Sequence, residues 1–444
     1  MMKIWSRALE MAELTPPERN RYVDFLRAVS IFVVVTGHWL VATAYYVDGS
    51  LTPGHVLKIQ PQTQWLTWIF QVMPIFFIVG GYSNAVSLES ARKKGAGYDV
   101  WLLTRLNRLV APLLVLVIAW GAIALTMRLM GVTPMVSQYA SKAALVPTWF
   151  LAIYTVVVIL APAAYAFWRR LGFLSFWIFV ALAGLTDLAF FAADMKWLGW
   201  INYFWVWLAV HHLGFAWRDN RLGSPRTLLV YAAIAFAILY LLISKGPYPL
   251  AMVGSPDAGL SNTLPPKITL LALAVFQFGL LLSLENPMRR VLSGVRTWAA
   301  TVLVNSMIMT FYLWHLTVMV VFVALLYLAD GFWLGIEPGT SQWWLMRPLW
   351  IITLLVLLMA VALPLSALER GGRSADAAVP SPVRQVIGAL MICLGVAMLA
   401  LFGYGGSPLP RLDIGFTDLD IGAFLLVIVG AAISGLLPRF RSTA

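Results

Sequence analysis

The stretch "DFLRAVSIFVVVTGHWL", residues 24–40, sets an aspartate, an arginine and a histidine in otherwise apolar sequence. On a helix, eleven residues rotate by about 1100°, so Arg27 and His38 lie only about 20° apart on one face and roughly 16 Å apart along the axis. Asp24 shares that face, three residues before Arg27, at the spacing of an ion pair. An imidazole that titrates near neutrality suits general-base catalysis, and an alcohol needs such a base before it attacks a carbonyl. The structural alternative is a neutral ring satisfied by a neighbouring helix. A titratable group deep in apolar sequence favours function, because its burial is costly unless it faces an interior cavity.

Further polar residues recur in the same kind of setting. Arg105 and Arg108 in "TRLNRLVAP" (104–112) project from adjacent positions of one helix, and Arg92 precedes them in "RKK". Guanidinium forks hold phosphates through charge-assisted, bidentate hydrogen bonds, so these residues read either as an anion clamp or as plain topological anchors. "FFIVGGYSNA" (76–85) offers Gly80 and Gly81 for close helix approach, with Asn84 beyond them. In "NYFWVWLAVHHLGFAW" (202–217), Asn202 and His212 share one face and His211 lies nearly opposite. At most one of the two histidines should therefore enter any single cavity. In "NSMIMTFYLWHLTV" (305–318), Asn305 and Tyr312 should form one stripe with His315 within a turn. Asn84, Asn202, Tyr312 and His315 can each serve as an oxyanion donor. With Trp149, His211 and His212, they are the candidates for lining a pore or its acceptor side.

The elements that position these residues must cross a bilayer. Of the 444 residues, 61% are hydrophobic and 11% charged, against roughly half and a quarter in soluble domains. Stretches of about 20 apolar residues, enough for one span, recur twelve times: 28–47, 66–87, 109–130, 148–167, 171–194, 201–217, 227–244, 268–284, 299–328, 346–368, 385–404 and 421–437. The fold expected is an all-α, polytopic transmembrane bundle. It has an N-terminal segment at 1–23, a ten-helix domain at 24–369, a linker at 370–384 and a two-helix hairpin at 385–444.

With the N-terminus placed in the cytoplasm, all but eight of the 31 basic residues fall on the cytoplasmic side. The positive-inside rule then puts both ends inside. The net charge of +12 is scattered over membrane-proximal patches and forms no nucleic-acid groove. Cys393 is the single cysteine, which excludes an internal disulfide and a thiolate metal cluster, and no metal is expected. The first 23 residues are polar and contain Pro16 and Pro17, so the first span should act as an uncleaved insertion signal. Residues 4–14 suit either a short interfacial helix or a disordered tail. The loop at 245–267 has the length of a functional lid.

Taken together, these stretches resemble the acyltransferase-3 family of integral membrane acyltransferases. The resemblance rests on "RYVDFLRAVSIFVVVTGHWL", whose Arg27 and His38 reproduce an arginine, ten residues, histidine pattern. It rests also on "FFIVGGYSNA", on "RLNR" before a proline, on "PTWFLAIY" at 147–154 and on "FYLWHL" at 311–316, over roughly residues 20–368. Gly80 departs from the family pattern, where serine is usual. The resemblance implies transfer of an acyl group, most often acetyl from cytoplasmic acetyl-CoA, to a hydroxyl of an extracytoplasmic or membrane-embedded glycan or lipid. It implies a multi-pass protein of the inner or plasma membrane, with His38 catalytic and Arg105 and Arg108 on the acyl-CoA side. A proton-coupled transporter or flippase that uses His38 as a relay is the rival reading. It lacks a carboxylate near mid-depth, since Asp187 and Asp194 fall toward the end of the fifth span.

Overall fold

The computed structural model describes residues 2–16, 18–47, 50–254, 259–369, 379–405, 412–413, 418–419 and 421–437. An amphipathic helix, α1 (Met2–Glu13), comes first. It is no loose tail, for Ala8 and Ala12 are buried against Trp298 and Ala299, while Trp5 and Met11 stay exposed. Next, α2 (Arg21–Val41) starts where Asn20 accepts a hydrogen bond from the Tyr22 amide, the side-chain capping that satisfies a helix N-terminus.

The first span does not continue to residue 47. At Ala42 the backbone turns extended, and the β-branched and aromatic run "ATAYYV" pairs as β1 (Ala42–Val47) with β2 (Ser50–His55). The antiparallel register sets His55 opposite Ala42, one helical turn beyond His38. Short helices α3 (Val56–Ile59) and α4 (Thr67–Phe70) then precede α5 (Met73–Lys93), and the apolar span that joins α4 to α5, Pro61–Lys93, contains the expected second span at 66–87.

The chain continues through α6 (Tyr98–Leu129), α7 (Pro134–Leu145), α8 (Thr148–Leu171), α9 (Phe173–Ala192) and α10 (Asn202–Arg218). Then follow α11 (Pro225–Lys245), α12 (Thr269–Ser283), α13 (Glu285–Val291), α14 (Val295–Ser306) and α15 (Ile308–Leu328). The series closes with α16 (Ser341–Glu369), α17 (Pro382–Phe402) and α18 (Gly422–Ile433). The long ninth span expected at 299–328 is two helices, broken at Met307, where φ is −121° and ψ 15°.

Among the described residues, nine helical segments are long and apolar enough to span a membrane. The other three expected spans are the shorter helices α10, α12 and α18, of 17, 15 and 12 residues. A helix wrapped by other helices need not match the bilayer thickness, and α10 is buried along nearly its whole length. By contrast, α11 buries only the stripe Leu228, Ala232, Ala235 and Leu239, against α12. The rest of its surface is the kind that lipid covers.

Close backbone approach joins α5 to α10. A Cβ on Gly81 would collide with the His211 carbonyl, and one on Gly214 with the Ile78 carbonyl. Within a bilayer, such small-residue contacts supply the van der Waals packing that a hydrophobic driving force supplies in water. The final pair α17 and α18 pack on each other, and α17 rests on α6, α7 and α8. The linker at 370–384 lies mostly outside the described residues, as do the basic residues after 437. The described parts of the 245–267 loop are tied down: Trp68 and Gln71 donate to the Leu250 and Met252 carbonyls at 2.9 Å, and Asn262 donates to Pro249 and Ala251.

Candidate active site

Five helices, α2, α5, α6, α8 and α15, surround a cavity of about 120 Å³, several times the space one water needs. Helical spacing explains the lining. Arg27 and Ile31 come from one face of α2, Gly80, Ser83 and Asn84 from α5, and Arg105, Arg108 and Leu109 from α6. The face of α8 contributes Phe150, Leu151, Tyr154 and Val158, and that of α15 contributes Ile308, Met309 and Tyr312.

At one end of the cavity stand three guanidinium groups. Arg27 donates to Asp24 at 3.0 Å and to the Ser83 hydroxyl at 2.9 Å. Arg105 donates to the Ser83 carbonyl at 3.0 Å. The buried Asp24 carboxylate is shared with Arg19 at 2.6 Å, and Asn305 donates to the Asp24 carbonyl at 2.9 Å. Arg108 has neither an ion-pair nor a hydrogen-bond partner among the described residues; it is exposed and lines the cavity. Pro112, one turn further along α6, carries no N–H and so leaves the Arg108 carbonyl without its helical partner. Three guanidinium groups thus gather at this end of the cavity beside one carboxylate, Asp24, which already pairs with Arg19 and Arg27.

Beyond the opposite end lie two histidines. His38 Nδ1 is 3.0 Å from His315 Nε2, with ring centroids 5.1 Å apart. His315 Nδ1 is 2.7 Å from the Tyr312 carbonyl, and Trp39 donates to the His315 carbonyl at 3.0 Å. These contacts assign the tautomers. A carbonyl only accepts, so His315 carries its proton on Nδ1 and offers a lone pair at Nε2. His38 must then donate from Nδ1, which leaves the Nε2 lone pair of His38 free to take a proton. His315 is fully buried, whereas His38 is half-buried. The β-hairpin brings in a third imidazole, His55, close enough to couple electrostatically to His38. Burial pushes His55 down to about 4, so it is neutral at pH 7.

The structure thus gathers Asp24, Arg27, Arg105, Arg108, Asn84 and Tyr312 at the cavity or its lip, and pairs His38 with His315. Arg27 lines the cavity but His38 does not, so the single face shared on α2 does not become a single chamber. Tyr312 stands between the two: its ring lines the cavity, its hydroxyl donates to the Pro147 carbonyl, and its own carbonyl holds His315. Asn305 and Tyr312 do not form one stripe, because the break at Met307 puts Asn305 on α14, facing Asp24.

Several expected residues lie elsewhere. Arg92 is exposed on the last turn of α5 and does not join the clamp. Trp149 packs edge-on between Phe150 and Tyr203, and its neighbour Phe150 takes the cavity position. Asn202 donates to Asp187 at 2.9 Å, in a network with Tyr248 and the Ile268 amide, and the buried Lys267 lies close enough to couple electrostatically to that carboxylate. His211 and His212 both avoid the cavity lining. His211 bonds the Phe77 carbonyl at 3.0 Å and orients Asn84 at 3.3 Å, and His212 bonds the Leu208 carbonyl and packs on Phe179. The residues not foreseen are Ser83, Tyr154 and His55. The first two sit inside the quoted motifs, but His55 sits in a hairpin that only the pairing of residues 42–47 with 50–55 creates.

Comparison with curated proteins and with solved structures found no match. A family profile described as an acyltransferase domain matches residues 20–368, which include every residue of the cavity and both paired histidines. With that extent of match and its long apolar helices, the chain belongs to the acyltransferase-3 family and is a multi-pass membrane acyltransferase.

Proposed function

We propose that the protein moves an acyl group, acetyl in the simplest case, from acyl-CoA held by Arg27, Arg105 and Arg108 to a hydroxyl of a glycan or lipid. The donor approaches from the arginine side, which faces the cytoplasm of an inner or plasma membrane. The acceptor approaches from the hairpin side. The observation that carries this reading is Arg108, an unpartnered guanidinium aimed into a cavity that already holds two others. Such a charge calls for a polyanion, and the phosphates of CoA fit it.

The chemistry follows from the tautomers. The acceptor O–H gives its proton to His38 Nε2 as its oxygen attacks the thioester carbonyl. The tetrahedral intermediate then expels the thiolate, the C–S bond breaks, and His38 returns the proton to sulfur. His315 steadies the transient imidazolium by accepting from Nδ1, the part a carboxylate takes in a serine-hydrolase triad. A thioester advancing along the cavity meets Tyr312 first, and reaching His38 requires that ring to turn aside.

The test is labelled acetyl-CoA with protein purified in detergent. Release or transfer of label by the wild type, lost in His38→Ala with the fold intact, supports the reading. An unreactive protein that instead drives solute accumulation in vesicles overturns it.

A further inference from the structure

Gly80 and Tyr154 occupy one another's space. A Cβ built on Gly80 would lie 2.6 Å from Tyr154 Cε2 and 2.8 Å from its hydroxyl oxygen, well inside van der Waals contact. The phenol therefore lies where a side chain at residue 80 would project. It is fixed there by stacking on Phe150 at 5.7 Å and 18°, and by an edge contact with Phe77 at 5.8 Å.

Both residues line the cavity, and the Tyr154 ring is close enough to Arg105 and Arg108 to couple with them. Its hydroxyl has no hydrogen-bond partner among the described residues. On α8, Tyr154 sits one turn after Phe150 and one turn before Val158. That places a neutral donor and acceptor between the guanidinium end and the aromatic end formed by Phe76, Phe150 and Tyr312.

The order of chemistries along the cavity is cation, phenol, aromatic wall. A CoA thioester has a matching order: phosphates, then an arm that carries a hydroxyl and two amides, then the acyl group. A guanidinium only donates, whereas a phenol both donates and accepts, which suits an amide. We propose that Tyr154 binds the amide-bearing pantetheine arm of the donor just past the arginines, and that Gly80 lacks a side chain so that this phenol can lie there. The inference rests on the acyl-CoA reading above.

The experiment compares two probes on the purified full chain: CoA, and adenosine 3′,5′-bisphosphate, which has phosphates but no arm. Tyr154→Phe keeps the ring and should weaken CoA about tenfold, the effect of one hydrogen bond, while bisphosphate binding stays within about twofold. Arg108→Gln should weaken both probes. Gly80→Ala pushes the ring aside and should reproduce the CoA loss, with no further loss in the double variant Gly80→Ala/Tyr154→Phe. Equal loss for both probes in Tyr154→Phe, or no loss of CoA, overturns the assignment of Tyr154 alone. Failure of the wild type to bind either probe overturns the acyl-CoA reading itself.

Discussion

Replacing His315 by leucine removes one hydrogen bond from the proposed base and nothing from the cavity wall, since His315 is fully buried and does not line it. Its value is greatest when His38 holds the acceptor's proton, because Nδ1–H then donates from a cation across 3.0 Å. Hydrogen bonds to charged groups contribute about 1.5–3 kcal/mol. At 1.36 kcal/mol per tenfold, kcat should fall roughly 10- to 150-fold, with the KM for acetyl-CoA unchanged. His38→Ala removes the base itself and should lose about 10²- to 10⁴-fold. The double variant should be no slower than His38→Ala, because residues that act as a unit do not add. His315→Gln keeps an acceptor oxygen and should regain much of the rate. The assay is initial-rate transfer of labelled acetyl at saturating acetyl-CoA, with size-exclusion profiles to confirm folding. A His315→Leu enzyme within twofold of wild type, or a loss that multiplies fully onto His38→Ala, refutes the dyad.

Other outcomes follow from the same geometry. Arg108→Gln should raise the KM for acetyl-CoA about tenfold or more, leave kcat within a few-fold, and flatten the salt dependence of KM, since the lost group acts by charge. Asp24→Asn leaves Arg27 without its carboxylate in a site where Asp24 is 5% exposed, and should lower thermal stability by about 3 kcal/mol. Gly81→Ala should cost on the order of 2 kcal/mol by forcing α5 from α10, read as a lower denaturation midpoint. His55 is held neutral with its folded value near 4, below the 6.5 of an unfolded histidine. The stability it confers is thus complete above pH 6.5 and is lost as pH falls toward 4. Wild type should lose thermal stability relative to His55→Gln across that window, and a constant gap between the two melting curves would contradict the burial argument.

Which parts were readable beforehand follows from range. Helical periodicity is local, so the common face of Asp24 and Arg27 and the neighbouring positions of Arg105 and Arg108 could be drawn from spacing alone, and Arg27 does meet Asp24 at 3.0 Å. The end of α2 could not be drawn so, because "ATAYYV" is apolar enough for a span and only pairing with residues 50–55 makes it a strand. Arg92 looked equivalent to Arg105 because both are basic and near a helix end. The direction in which α5 leaves the bundle separates them. His315 stood within a turn of Tyr312 in any helix, but nothing in residues 305–318 announced that its partner would be His38.

By itself the sequence determined that this chain lives in a bilayer, that it is helical, and that an acid, a base and a basic pair recur on defined faces, since composition and 3.6-residue periodicity are properties of single segments. Only the tertiary structure decided which faces meet. It turned two separate histidines into a hydrogen-bonded pair, left one arginine of three without a partner, laid a phenol over a glycine, and set Tyr312 between the guanidinium groups and the imidazoles. Contacts of that kind depend on how helices far apart in the chain cross, and crossing is settled by packing of small residues such as Gly81 and Gly214, whose effect no single segment reveals.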